Sequence, residues 1–313
     1  MPISFKEDHI SQIPALLMLE KLGYTYLTPD EALALRGGNL ANVLLEPVLR
    51  KQLAAINVVQ VSSVRTTVFS EQNITAGIDA LRNIPMDEGF MEASQTVYDL
   101  LTSGKTLEQI VDGDRKSFVM QYIDWKNPRN NVFHVTEEFA VSRTGMTETY
   151  RPDIVLFVNG IPLCVIECKR PDVKDSIEQA ISQHLRNQKA DGIRSLYLYS
   201  TLLLAINRQE GSYATTATPE KFWARWREQF TNREEEVRYR QELERVVNEP
   251  LLDDKLFGER FGYVRRNFEE LYRQPVIPSV QDEYLYNLCR PERLLQLMYG
   301  FTLYDDGIKK VAR

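Results

Sequence analysis

The run Arg151-Pro152-Asp153-Ile154-Val155-Leu156-Phe157-Val158-Asn159-Gly160-Ile161-Pro162-Leu163-Cys164-Val165-Ile166-Glu167-Cys168-Lys169-Arg170-Pro171 decides how this chain folds. Residues 154–158 and 163–166 are short continuous apolar runs on either side of Asn159-Gly160. Runs of that length read as buried strands. Asn-Gly between them predicts a hairpin, because both residues tolerate the positive φ of a two-residue turn. An acid precedes the first strand, and acid-x-Lys closes the second. Residues i and i+2 of a strand face the same way, so Glu167 and Lys169 project together. Two carboxylates beside an ammonium group suit a hard divalent cation and an activated water.

Acid-x-Lys alone is a weak signal. It recurs at Asp114/Lys116, Asp124/Lys126, Asp172/Lys174 and Asp253/Lys255. Only Glu167/Lys169 ends a buried-strand run and has a partner acid across a hairpin. Charges capping an apolar strand are costly to bury alone, and a bound metal ion supplies what they lack. Register makes the idea testable. A regular two-residue turn pairs positions summing to 319, which puts Asp153 opposite Ile166 and on the wrong face for Glu167. A three-residue turn or a bulge shifts the sum to 320 and puts Asp153 opposite Glu167. The expectation is therefore a three-residue turn or a bulged strand.

Outward from this segment, the N-terminal third reads as helices. Ser4-Phe5-Lys6-Glu7 is a capping box, and Ile10, Ile13, Leu16, Leu17 and Leu19 keep helical spacing up to Gly23. Thr28-Pro29-Asp30-Glu31 opens a second helix that Gly37-Gly38 closes. Further helices are predicted over 41–56 and 89–103, and a strand around Val132, His134, Val135, Phe139 and Val141. Beyond the hairpin, 174–189 is helical and 196–206 holds a buried strand. Thr218-Pro219-Glu220 predicts a helix carrying Phe222, Trp223 and Trp226, and 232–248 a charged helix with a solvated face. This order predicts an α/β fold with a mixed sheet flanked by helices. The expected parts are a helical region over 1–115, a core over 116–230 and a helical extension over 231–313.

The 313 residues contain no apolar run of 18 and no basic-then-apolar start, which argues against a membrane span and a secretory signal. A cytoplasmic setting is expected, with Cys164 and Cys168 as reduced, buried small hydrophobes. The net charge of −6 argues against a basic protein that coats nucleic acid. It divides as −5 over 1–100, 0 over 101–200 and −1 over 201–313, so an anionic ligand is expected at the middle or end of the chain. His9, His134 and His184 are too scattered for a local metal motif.

Asp153, 13 intervening residues and Glu167-Cys168-Lys169 resemble the metal site of the PD-(D/E)xK nucleases, which have the restriction-endonuclease-like fold. The wording from Arg-Pro-Asp through Asn-Gly-x-Pro-Leu to Ile-Glu-Cys-Lys-Arg-Pro is similar to the R (restriction, motor) subunit of type I restriction-modification enzymes. The similarity continues through Gln183, 197–207, Tyr213-Ala214-Thr215 and Thr218-Pro219-Glu220. It resumes at Arg290-Pro291-Glu292-Arg293-Leu294-Leu295 and over 305–313.

The resemblance implies a nuclease domain ahead of an ATP-driven double-stranded DNA translocase that works with modification and specificity subunits. Asp153 and Glu167 would bind Mg²⁺, with the Cys168 carbonyl as a further ligand. Lys169 would orient or deprotonate the attacking water and offset charge on the phosphorane. Gln183 matches the Gln of the family's Gln-x-x-x-Tyr motif, whereas Asn187 stands where its Tyr would be. Arg170, Lys174, Lys189 and Arg194 flank the site as candidate phosphate contacts. No Gly-x-x-x-x-Gly-Lys-[Ser/Thr] loop occurs, so ATP is expected only in a longer polypeptide of which this chain is the nuclease-bearing piece. The competing class is a noncatalytic module docking the motor onto the modification complex. Asp153, Glu167, Lys169 and Gln183 favour the nuclease, and Asn187 favours the docking module.

Overall fold

The computed structural model of the protein describes residues 11–60, 65–250, 255–305 and 308–311. The capping box at 4–7, His9 and Asp253 lie outside them. The N-terminal third supplies α1 (Ile13–Lys21), β1 (Thr25–Leu27), α2 (Pro29–Ala34), α3 (Glu46–Ile56), the hairpin β2 (Val58–Gln60) and β3 (Thr66–Val68), α4 (Glu71–Arg82) and α5 (Phe90–Ser103). Next come β4 (Lys105–Val111), β5 (Asp114–Met120), β6 (Phe133–Glu137), β7 (Val141–Ser142), β8 (Thr149–Tyr150), β9 (Ile154–Val158) and β10 (Ile161–Cys168). The chain continues through α6 (Ser176–Asn187), α7 (Arg194–Tyr197), β11 (Leu202–Ile206) and β12 (Gly211–Ala214). The described chain closes with α8 (Arg233–Val247), α9 (Arg265–Leu271), α10 (Val280–Cys289), α11 (Pro291–Gly300), β13 (Thr302–Asp305) and β14 (Ile308–Val311).

The expected mixed sheet has six strands in the order β1-β6-β9-β10-β11-β12. β1 runs parallel to β6 and β10 parallel to β11, and the remaining pairs are antiparallel. Every residue of β9, β10 and β11 is buried, which is why those strands read as unbroken apolar runs. Strand alternation divides the two faces of β11. Ala205 clusters with Ile177, Ala180 and Ile181 of α6, while Leu204 and Ile206 join the main core.

The N-terminal third is less purely helical than expected. β1 forms an edge of the main sheet, and β2–β3 is a separate hairpin. The predicted caps of α2 are present: the Thr28 hydroxyl accepts from the Glu31 amide at 3.2 Å, and Glu31 accepts from the Thr28 amide at 3.0 Å. The helix predicted after Thr218 is overturned. Only a single turn, Glu220–Phe222, forms there. Ala224 then exchanges backbone hydrogen bonds with Tyr213 of β12 at 2.8 and 3.0 Å, and the Trp226 amide donates to the Tyr284 hydroxyl at 2.9 Å. Extending the sheet edge satisfies these groups better than a short helix would, so the three-residue spacing of the tryptophans is not helical periodicity. Among the described residues, no helix is long and apolar enough to cross a membrane.

Candidate active site

The site begins with a fault in the hairpin. Asn159 (φ 52°) and Gly160 (φ 83°) form the two-residue turn their sequence predicts. Ile161 pairs with Val158 and Pro162 with Phe157, both summing to 319. The register then slips, so that Cys164 pairs with Leu156, Val165 with Val155 and Ile166 with Ile154, all summing to 320. Leu163 is the extra residue of a bulge, its carbonyl taken by the Thr201 amide at 2.9 Å. Continuing the register carries Asp153 across from Glu167, as the alternative to a regular hairpin required. The Asp153 carboxylate (Oδ2) accepts from the Cys168 amide at 2.7 Å across the hairpin.

Glu167 is fully buried. Its Oε2 accepts from the Gln183 amide on α6 at 2.5 Å, while Oε1 has no hydrogen-bond partner among the described residues. Glu137 makes the contrast plain. It is equally buried, but Arg260 stands 2.7 Å away and the Tyr26 hydroxyl donates at 3.1 Å. Burial pushes the Glu167 carboxyl well above the usual carboxylate range, and the neighbouring Asp153 carboxylate pushes the same way. Neighbouring carboxylates repel unless a proton or a cation lies between them. Lys169 donates to the Cys168 carbonyl at 3.1 Å and reaches Asp153 Oδ2 at 3.5 Å. The Cys168 thiol is buried, and that burial raises its pKa.

Gln183 therefore meets Glu167 as the one-face spacing of α6 allows. Asn187, one turn on, is buried, and its carbonyl accepts from Arg186. His184 is wholly buried. Its Nε2–H donates to the Leu204 carbonyl at 2.9 Å, leaving Nδ1 to accept from the Tyr197 hydroxyl at 3.0 Å, and burial lowers its pKa to about 4. It is a neutral bolt between α6 and β11.

The flanking cations differ in how far they are engaged. Lys174 and Lys189 are exposed. Arg170 donates to Asp172 at 2.9 Å, and Arg194 donates to the Gln188 carbonyl at 2.8 Å with its guanidinium over Phe90. Sequence reasoning missed Gln12, whose amide donates to the Asp153 carbonyl at 2.9 Å, and Glu138, whose amide N–H donates to the same carbonyl at 3.0 Å. Burial and Asp153 together push the Glu138 carboxyl up. No local pattern announces either residue, since Gln12 is 141 positions from its partner.

Residues 4–222 match the family model for the N terminus of the type I restriction enzyme R protein. The chain belongs to that family. This type I R-protein region is 27% identical over 228 residues to the MjaIXP endonuclease subunit of a type I restriction enzyme from Methanocaldococcus jannaschii, covering 70% of this chain and 20% of the relative. It is 29% identical over 206 residues to the type I restriction enzyme HindI endonuclease subunit of Haemophilus influenzae, covering 63% and 18%. A second M. jannaschii relative, the MjaVIIP endonuclease subunit, is 44% identical over 69 residues. The R-protein region thus spans about a fifth of the length of the first of these relatives.

Proposed function

We propose that this R-protein region is a Mg²⁺-dependent endonuclease that cuts double-stranded DNA, after translocation driven by ATP elsewhere in a longer polypeptide and in company with modification and specificity subunits. One observation carries the reading. A bulge turns Asp153 toward Glu167, and among the described residues the buried Glu167 keeps one oxygen unpartnered beside a second carboxylate and a lysine. The naming of the relatives as endonuclease subunits supports it.

That unpartnered oxygen fits a hard cation. Asp153, Glu167 and the Cys168 carbonyl would hold Mg²⁺, which keeps several waters and needs few protein ligands. When bound, it supplies Lewis-acid polarisation of the phosphate and a more acidic water. Gln183 fixes one Glu167 oxygen so that the other stays aimed at the ion. Lys169, held by the Cys168 carbonyl and Asp153, orients the attacking water and offsets the negative charge that grows on phosphorus. The buried strand ends keep bulk water from screening these charges.

Asp153→Ala and Lys169→Ala, each in the assembled restriction enzyme, are expected to slow DNA cleavage by about 10²-fold or more while ATP-driven translocation continues. Unchanged cleavage in both variants would refute the catalytic assignment and leave the docking module as the better reading.

A further inference from the structure

Asn187 is where the chain departs from Gln-x-x-x-Tyr, and its side chain holds a neighbour. Its Oδ1 accepts from Nε of Arg186 at 3.3 Å and from Nη2 at 3.1 Å, while its Nδ2 donates to the Tyr197 hydroxyl at 3.5 Å. Asn187 is wholly buried and Arg186 is exposed, so a rigid buried group aims a solvent-facing guanidinium. The Tyr150 ring backs that guanidinium at 4.3 Å. Arg143 lies 4.7 Å from the same ring, but its charge is met by Asp191 at 2.6 Å. Among the described residues, no carboxylate pairs with Arg186. Of the five N–H donors of a guanidinium, Asn187 engages two, and three remain.

Position places this charge at the site. Arg186 follows Gln183 by three residues, and residues so spaced are neighbours on a helix surface. Gln183 in turn grips Glu167 at 2.5 Å. A solvated surface arginine samples many rotamers, whereas this one is held on two sides before any ligand arrives, so less ordering entropy is lost on binding. Its planar fork matches phosphate geometry.

We propose that Arg186, aimed by Asn187 and backed by Tyr150, is a phosphate contact that holds the DNA strand beside the bond to be cut. This rests on the nuclease reading above and assigns position 187 the task of orienting that arginine.

The test is the binding of a short labelled DNA duplex to the 313-residue chain by fluorescence anisotropy, in EDTA to prevent cleavage, across a salt series. Arg186→Ala should weaken binding about tenfold and reduce the slope of log affinity against log salt by about one, the signature of one lost phosphate contact. Arg186→Lys should restore the slope but only part of the affinity, because the charge returns without the fork. Asn187→Ala should keep the slope and lose affinity by a few-fold. Equal melting temperatures would show that the variants are folded, and the lysine variant serves if the alanine variant is not. Unchanged affinity and slope in Arg186→Ala would overturn the inference, as would an absence of salt-dependent duplex binding by the unaltered chain. Failure of the nuclease reading shows separately, as cleavage that survives Asp153→Ala. Cleavage lost in Asp153→Ala, together with an unchanged slope in Arg186→Ala, would sink the inference alone.

Discussion

A carboxylate removed from water needs a partner for its charge, and among the described residues Glu167 has a partner for only one of its two oxygens. His184 shows the opposite solution, a titratable group buried neutral with both ring nitrogens bonded. Its pKa is lowered to about 4, so protonation favours the unfolded chain. Stability from this residue is full above about pH 6.5 and is lost as pH falls through about 4, a change of about 3 kcal/mol. Unfolding free energies of wild type and His184→Gln should therefore converge by that amount between pH 7 and 4, measured by urea denaturation, whereas parallel curves would contradict it. At this scale the meeting of Asp153, Glu167 and Lys169 was legible, because strand alternation and register state which side chains share a face, whereas Gln183 was named only through the resemblance. Gln12, Glu138 and Arg186 were not legible, because their roles arise from partners that only the folded chain brings near.

The hairpin β9–β10 is the element on which the site depends, and its turn is tightly hemmed in. Gly160 has φ +83°, and an added Cβ would lie 2.6 Å from the Leu45 carbonyl oxygen, a backbone atom with no easy retreat. Gly160→Ala should cost about 2 kcal/mol or more, from the backbone conformation and the clash together, and an unchanged urea midpoint would contradict this. The Asn-Gly turn, and the need for either a three-residue turn or a bulge, could be read from sequence. The bulge's place at Leu163 could not, since the strands are apolar throughout and nothing in their composition marks the slip. The β4–β5 hairpin was missed for a different reason. Asp112-Gly113 carries the same kind of turn, with φ of 56° and 87°, but exposed polar residues dilute the apolar alternation on either side. Trp223 and Trp226 misled because the sheet edge captures the backbone of Ala224 between them and the Tyr284 hydroxyl takes the Trp226 amide.

Across the whole molecule, the acidic total of −6 coexists with a local pair of guanidinium groups, Arg143 and Arg186, at the Tyr150 ring. On the proposed function, this region needs only a local grip on DNA at a metal ion. Binding of that ion should stabilise the fold. At a Mg²⁺ concentration about 100 times its Kd, the gain is about 2.7 kcal/mol, seen as a raised melting temperature that Asp153→Ala abolishes. An equal rise in both proteins would place the ion elsewhere. The central claim, that the bulged hairpin brings Asp153 and Glu167 to one cation, is tested most directly by crystals soaked in Mn²⁺ as a stand-in for Mg²⁺. Anomalous scattering should then show a single peak between the two carboxylates, at about 2.1 Å from an oxygen of each. No peak there, or a peak bound by Glu138 without Glu167, would contradict it.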